Sequence, residues 1–479
     1  MKTSTPFFAG FHQILFGRPR RSTQHILQQQ AENLQRASLA QLAHLFAPWV
    51  PASTLACSPH ERRRLFPKAV TFWAFLSQVM SPGMPCREIL RKVQGWCAAH
   101  QLTLPDSNTG AYCKARKRLD SNLLRDVHRH TADRLEANVQ TKQLWLGHRV
   151  KIIDGTGVSM PDTPKNQKAF PQPSGQKQGC GFPVAKLVGC FCLTSGALID
   201  WAEGTLKEHE SFLARGLWHL IRAGEILLTD RGFCSYELMA TLRERKADTV
   251  MRLHQARSKD FRHGKRIGKN ERRVLWHKPK KQPPGARTRE WKKLPDTLNL
   301  RYVKIFVSTP GFRTQEIILV TTLLDPIRYP AEALGKLYLR RWAVELFFRD
   351  IKISLGMDIL RCKTPDMVRK EIIMHAIAYN LIRALMQKAA ALYEVDLARI
   401  SFKGTSDTLR QWIEVLNTAS RGKKFRDLVN TLMLLLAEDL VPERPHRVEP
   451  RAKKRRPKNY QLLTEPRHVM VVPSHRNRA

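Results

Sequence analysis

The stretch Val150-Lys151-Ile152-Ile153-Asp154-Gly155-Thr156 decides how the rest of the chain reads. A short β-branched run passes straight into an acid and a glycine, the pattern of a strand that ends on a carboxylate. Working outward, Val184 to Leu193 and Ala197 to Ala202 read as two further strands around the turn Thr194-Ser195-Gly196. Leu206 to Ala223 reads as a helix, Glu225 to Thr229 as a buried strand ending at Asp230, and Asp248 to Leu253 as another strand. Taken singly, Asp154-Gly155 is also a good hairpin-turn dipeptide, and Asp230 also suits a turn cap.

Three strands, a helix, a strand and then more α/β is the element order of a ribonuclease-H-like sheet. In such a sheet the strands ending at Asp154 and Asp230 lie side by side, so their acids converge. The fold class expected is therefore a multidomain α/β chain in four parts. A helical DNA-binding domain occupies 1–145, and a ribonuclease-H-like core occupies 146–356. A β-rich insertion at about 257–328 interrupts that core, a helical region follows at 357–445, and a basic tail runs over 446–479. Within the first part, helical spacing recurs at Ile26 to Leu45, Val70 to Met80 and Ile89 to Ala98. Asp106 or Ser107 is placed to N-cap a further helix through Ala111 to Leu119, where Lys114, Arg116, Lys117 and Arg118 cluster. The insertion carries fifteen Lys or Arg against three acids between Arg257 and Lys293, with strand-like segments at Tyr302 to Val307 and Glu316 to Thr322.

Ala331 to Leu355 reads as one helix, and Asp366 to Leu392 as a notably apolar one. In the first of these, Tyr338, Arg341, Glu345 and Lys352 follow one another at +3, +4 and +7. At roughly 100° per residue they fall within about 60° around the axis, so one stripe presents a phenol, a guanidinium, a carboxylate and an ammonium. Arg341 to Glu345 is also an ordinary i,i+4 ion pair, and by itself the stripe favours structural support over chemistry. Asp154 and Asp230 change that balance, because three acids in the right elements and the right chain order make a joint coincidence much rarer. Phosphodiester cleavage must stabilise charge on the entering and leaving oxygens, which two Mg²⁺ or Mn²⁺ ions about 3.5–4 Å apart do. Such hard cations take oxygen ligands, and no His-rich or thiolate cluster competes for the assignment.

Asp154-Gly155-Thr156, then Asp230-Arg231-Gly232-Phe233, then Tyr338-x2-Arg341-x3-Glu345-x6-Lys352 resembles the signature of bacterial insertion-sequence transposases of the DDE type, in the family called insertion sequence four. All four positions of that family's YREK motif are matched. The resemblance covers about 145 to 395, and more loosely Thr109 to Leu119 and Arg451 to Arg467. It implies that Asp154, Asp230 and Glu345 are catalytic metal ligands and that Tyr338, Arg341 and Lys352 contact DNA. It further implies cut-and-paste transposition through a hairpin intermediate, double-stranded DNA (terminal inverted repeats and target) as partner, and a homodimer in the synaptic complex. In relatives a tryptophan of the insertion stacks on a flipped base; Trp276 and Trp291 are the candidates here, with core packing the better reading of each. His209 and His254 are tempting, but the chemistry needs neither.

Composition agrees without deciding. Lys plus Arg number 82 against 41 acids among 479 residues, a formal charge of +41 that calls for a polyanion partner. Six of the eight residues 451–458 are Lys or Arg. The nine cysteines are scattered without a C-x-x-C pair, which argues against a disulfide framework or a zinc knuckle and for reduced thiols in a cytoplasmic protein of the bacterial nucleoid. No apolar run is long enough to span a membrane. Three rivals remain at this stage. A DNA-binding relic would have no need of an intact acid triad, and a plain nuclease would need neither the stripe nor the insertion. A basic translation factor would explain the charge but not the acids.

Overall fold

The computed structural model describes residues 39–56, 66–99, 104–257, 261, 264–307, 315–417, 422–443 and 462–470. At its centre is β1 (Val150–Ser159), flanked on one side by the antiparallel hairpin of β2 (Val184–Cys192) and β3 (Leu198–Thr205). On its other side β4 (Ile226–Thr229) and β5 (Asp248–Arg252) run parallel to it. All four residues of β4 are buried, as expected of a strand covered on both faces.

The insertion does not stand apart from this sheet. Its strands β6 (Lys265–Gly268), β7 (Glu271–His277), β8 (Thr297–Val307) and β9 (Gln315–Thr321) form an antiparallel meander whose last member pairs with β5. The result is one mixed sheet of order β3-β2-β1-β4-β5-β9-β8-β7-β6. The basic composition of 257–293 conceals β6 and β7, because their basic residues stand side by side (Lys265-Arg266, Arg272-Arg273) and leave no period-two alternation. Trp276 and Trp291 are both buried within this part: the Trp276 indole donates to the Tyr302 hydroxyl at 2.8 Å, and Trp291 meets Tyr236 edge to face.

Helices cover the sheet. N-terminal to it come α1 (Leu39–Phe46), α2 (Lys68–Val79), α3 (Cys86–Ala99), α4 (Gly110–Arg118) and α5 (Ser121–Ala137). Of the expected helix from Ile26, the part before residue 39 lies outside the described residues, as does the basic run 451–458. Neither Asp106 nor Ser107 caps α4. The N-cap position is Thr109, whose side chain makes no capping bond; Asn108 instead accepts the Gly110 N–H at 2.8 Å, and Asp106 accepts the N–H of Asn108 at 3.1 Å. The basic cluster on α4 also divides: Lys114, Lys117 and Arg118 are exposed, but Arg116 turns inward over the rings of Phe75 and Tyr112.

Short helices α6 (Pro164–Ala169), α7 (Glu210–Ala214), α8 (Tyr236–Glu244) and α9 (Thr288–Lys293) fill the connections. The single helix expected from Leu206 to Ala223 is thus one short α turn that tightens into a 3₁₀ segment at Arg215–Leu220, with Gly216 weakening its interior. Beyond the insertion come α10 (Ala331–Leu339), α11 (Ala343–Arg349), α12 (Pro365–Leu392), α13 (Phe402–Asn417) and α14 (Lys423–Glu438).

The apolar α12 is buried nearly all round from Ile372 to Met386, the mark of a central helix. It also closes the β2–β3 hairpin. Tyr379 donates to Gly196 O at 2.6 Å, Arg383 to Ser195 O at 2.7 Å, and the Asn380 amide pairs with both backbone groups of Leu198 at 3.0 Å. Turn carbonyls that would be orphaned in the core are thereby satisfied.

Beneath β1 lies a buried ion cluster. Lys151, 1% exposed, reaches Glu225 at 2.9 Å, Glu136 at 3.7 Å and the carbonyl of Leu220 at 2.7 Å, tying β1 to α5 and to the start of β4. Replacing Lys151 by Ala leaves two buried carboxylates with only Arg149, at 3.7 and 4.0 Å, so Lys151→Ala should cost about 3 kcal/mol in urea unfolding. An unchanged midpoint would mean that Glu136 and Glu225 find water instead.

Candidate active site

The parallel register of β1 and β4 builds the site. Val150 stands beside Ile226, Lys151 beside Leu227 and Ile152 beside Leu228. The same offset carried two residues further sets Asp154 opposite Asp230, the residue on which β4 ends. Asp154 remains in the β1–β2 ladder, opposite Gly189. There the absence of a side chain matters. A Cβ at 189 would lie 2.9 Å from the Phe191 ring and 3.3 Å from that of Phe348, so glycine lets α11 settle onto β2. Phe347 and Phe348 clamp Phe191 at 5.5 and 5.1 Å between ring centroids.

The segment from Ala331 to Leu355 is helical throughout but not one regular α-helix. Between α10 and α11 the residues Arg340–Trp342 form a 3₁₀ turn, and Asp350–Ser354 form a π turn. The first overwinds the helix and the second underwinds it, so the stripe of expected site residues survives with opposite local errors. Its C-terminal end is tied back to β1: the Ser159 N–H donates to Asp358 O at 2.9 Å, and the Leu360 N–H to Ser159 O at 2.8 Å.

The structure brings Asp154, Asp230, Tyr338 and Arg341 together, while Glu345 is linked to them only through Arg341 and Lys352 only through Thr156. The Tyr338 hydroxyl donates to Asp230 Oδ1 at 3.3 Å. Arg341 Nη1 meets Asp154 Oδ2 at 3.3 Å, while its Nη2 stands 3.9 Å from Glu345 Oε1. Lys352 Nζ donates to Thr156 Oγ1 at 3.3 Å. Arg341 is buried, and among the described residues its buried Nε finds no acceptor. Glu345 differs, with 53% of its side chain exposed.

Burial pushes the Asp154 carboxyl above the ordinary carboxylate range, and Glu210 and Asp230 push it the same way. The N–H of Gly155 and the guanidinium of Arg341 oppose them. Burial and the neighbouring Asp230 also raise the Tyr338 phenol far above its usual value, so it acts as a hydrogen-bond donor and not as a base.

Among the described residues no three His, Cys, Asp or Glu side chains stand close enough to enclose a metal ion as they lie. Arg341 bridges Asp154 and Glu345 instead. The gathered acids offer carboxylate oxygens, the donor type that a hard divalent cation takes, and the positive partner of the desolvated Asp154 as it lies is Arg341. One acid at this centre is absent from the sequence-based set. Glu210, at the start of α7, lies against Gly155. Its one signal in the sequence is an acid in the first turn after the third strand, beside His209, which is exposed.

Two acids on adjacent parallel strands, with a third returned by a helix among basic side chains, define the DDE class of DNA-processing enzymes. Residues 145–381 match the family model described as the transposase DDE domain. The chain is 28% identical over 405 residues to the transposase InsG of insertion sequence element IS4 from Escherichia coli, covering 83% of this chain and 88% of that one. It is 25% identical over 210 residues to the putative transposase InsZ of the same organism, covering 42% of this chain and 68% of the relative. A piggyBac transposase in a synaptic complex with hairpin DNA is similar at a TM-score of 0.40 and 9% identity, over 88% of this chain and 87% of that one, a likeness too loose to bear on the fold. The chain belongs to the DDE transposases, of the IS4 type.

Asp350, on the π turn between Glu345 and Lys352, gives a test of local electrostatics. Burial raises its carboxyl to about 6 despite Arg383 and Arg349. A carboxyl raised in the fold binds its proton more tightly there than in the unfolded chain, so its contribution to stability is lost as pH climbs from the ordinary carboxylate range through about 6. Relative to wild type, Asp350→Asn should therefore gain roughly 1 kcal/mol in denaturant unfolding between pH 5 and pH 7.5. Parallel pH profiles would show that Asp350 is solvated like a surface carboxylate.

Proposed function

We propose that this transposase moves its element by cut-and-paste, through metal-dependent phosphoryl transfer at the element's ends. The observation that carries this reading is the meeting of Asp154 and Asp230, set side by side by the strand register, with Tyr338 and Arg341 from the facing helix. The five strands β3-β2-β1-β4-β5, with β1, β4 and β5 parallel, support a ribonuclease-H-like core. The preceding helices serve as a DNA-binding domain, and the strands β6 to β9 as an insertion that widens the basic surface.

Asp154, Asp230 and Glu345 would hold Mg²⁺ or Mn²⁺, two ions in the full reaction, which neutralise charge on the attacking and leaving oxygens. The protein's own groups do the rest. Arg341, whose buried Nε finds no acceptor among the described residues, is suited to a phosphate oxygen that displaces it from Asp154. Lys352 supplies a point charge beside Thr156, and Tyr338 offers its hydroxyl proton. With these groups one site can serve successive steps. Water first cuts one strand, the freed 3′-hydroxyl attacks the opposite strand to leave a hairpin, water reopens it, and the same hydroxyl joins target DNA. Both terminal repeats are processed together, which calls for a homodimer on double-stranded DNA. Among the described residues no helix is long and apolar enough to cross a membrane, and the site of action is the bacterial nucleoid in the cytoplasm.

The deciding experiment incubates the protein with Mg²⁺ and a DNA fragment carrying the gene's own flanking ends. Asp154→Asn and Glu345→Gln should each lower end cleavage at least about a hundredfold while retaining DNA binding. Cleavage at the wild-type rate by either variant would remove that residue from the centre. Arg341→Ala should reduce end cleavage about tenfold to a hundredfold, the loss of a charge-assisted phosphate contact. If Arg341→Ala weakened only binding to unrelated DNA, the stripe would be a general basic surface.

A further inference from the structure

Away from the acid centre, a cavity of about 490 Å³ opens where the N-terminal helices α2, α3 and α4 meet the chain entering α12. Three cysteines line it: Cys86 at the first position of α3, Cys113 on α4 and Cys362 just ahead of α12. Arg116 shares the cavity and lies over the rings of Phe75 and Tyr112 at 4.9 and 5.2 Å. Among the described residues Arg116 forms no ion pair with a carboxylate, and its buried Nε has no acceptor. The Glu371 carboxylate of the same cavity is taken by the N–H groups of Arg361 and Cys362 at 2.9 to 3.1 Å. A largely buried guanidinium without a carboxylate needs another anion.

Gln78 on α2 shows which anion that is. Its Oε1 accepts the Tyr112 hydroxyl at 2.9 Å and Arg116 Nη1 at 3.2 Å, so its amide nitrogen faces the other way, donating to Met84 O at 3.0 Å and Cys86 Sγ at 3.6 Å. The Cys86 sulfur is therefore an acceptor, and it takes a second hydrogen bond from the Cys113 thiol. Its place at the start of a fourteen-residue helix favours negative charge as well. The bond from Cys113, with Arg116 and Gln78, holds the Cys86 thiol down to about 5 against its burial, so at neutral pH it is a thiolate. Cys113, the donor in that bond, is pushed up and keeps its proton. Burial and Glu371 push Cys362 up too, so it stays a thiol. A part-exposed thiolate beside a thiol is the arrangement of an oxidant-sensitive cysteine with its resolving partner.

We propose that Cys86 and Cys113 form a redox-modification site that takes a hydroperoxide as oxidant and closes into a disulfide between α3 and α4. In the first step the Cys86 sulfur attacks the terminal peroxide oxygen. An S–O bond forms, the O–O bond breaks, and the departing alkoxide (hydroxide, for hydrogen peroxide) takes a proton from solvent. In the second step the Cys113 sulfur displaces that oxygen from Cys86. An S–S bond forms, the S–O bond breaks, and water leaves with the Cys113 proton. The two sulfurs together lose two electrons, and the peroxide gains them. Oxidation also removes the anion beside Arg116, on the helix that exposes Lys114, Lys117 and Arg118.

The test treats the reduced full chain with hydrogen peroxide and maps its cysteines by mass spectrometry, with and without dimedone to capture sulfenic acid. Without dimedone, wild type should yield a Cys86–Cys113 peptide pair lighter by two hydrogens and restored by dithiothreitol. Cys113→Ser should instead accumulate the dimedone adduct on Cys86, and Cys86→Ser should give neither adduct nor disulfide at Cys113. In wild type Cys86 should be oxidised at least about tenfold faster than Cys180, which is likewise part-buried. That comparison uses wild type alone, so it decides even where a serine variant fails to fold. Equal rates at Cys86 and Cys180, a disulfide from Cys86 to Cys362, or no dimedone adduct on Cys86 in folded Cys113→Ser would each overturn the assignment.

Discussion

The parallel pairing of β1 with β4 is the constraint on which the rest depends. Their register here brings Asp230, the residue just after β4, level with an acid still inside β1. A slip of one residue would turn one acid to the other face of the sheet. The pairing is held from below by Lys151 between Glu136 and Glu225, a cluster buried enough that each charge needs the others. The repulsion between carboxylates at the strand ends is therefore opposed by attraction between opposite charges three residues away on the same strand.

The facing helix meets a different demand. Its side chains must reach β1 at two places and the end of β4 at once, and a regular helix has one pitch. A tight 3₁₀ turn after Tyr338 and a wide π turn before Leu355 let Tyr338 address Asp230, Arg341 address Asp154 and Lys352 address Thr156. Gly189 sets the height of the helix above the sheet. Position and orientation are thus fixed by separate features, a glycine in a strand and two irregular turns in a helix.

The parts of this arrangement written in local pattern were legible in the sequence. Apolar strands that stop at Asp154 and Asp230 announce themselves, and a helical period exposes Tyr338, Arg341, Glu345 and Lys352 even where the helix is irregular, because its two deviations have opposite sign. What depends on approach through space was not legible. Glu210 reaches the centre only because position 155 lacks a side chain, a relation between residues far apart in the chain. Strands β6 and β7 escaped notice because their edge position leaves them half exposed and basic. Arg116 looked like one more surface cation of its cluster, and only packing against Phe75 and Tyr112 shows it to be an inward one.

The closure of the β2–β3 hairpin by α12 also governs timing. The carbonyls of Ser195 and Gly196 receive their donors from Arg383 and Tyr379, close to two hundred positions later in the chain. During synthesis at about 5–20 residues per second, the strand bearing Asp154 exists for many seconds before the helix that completes its surroundings leaves the ribosome. Until then the hairpin turn has only water to satisfy it, and the sheet lacks its central cover. A transposase domain assembled in this order cannot act from an unfinished chain, so its competence is delayed until almost all of the domain has been made.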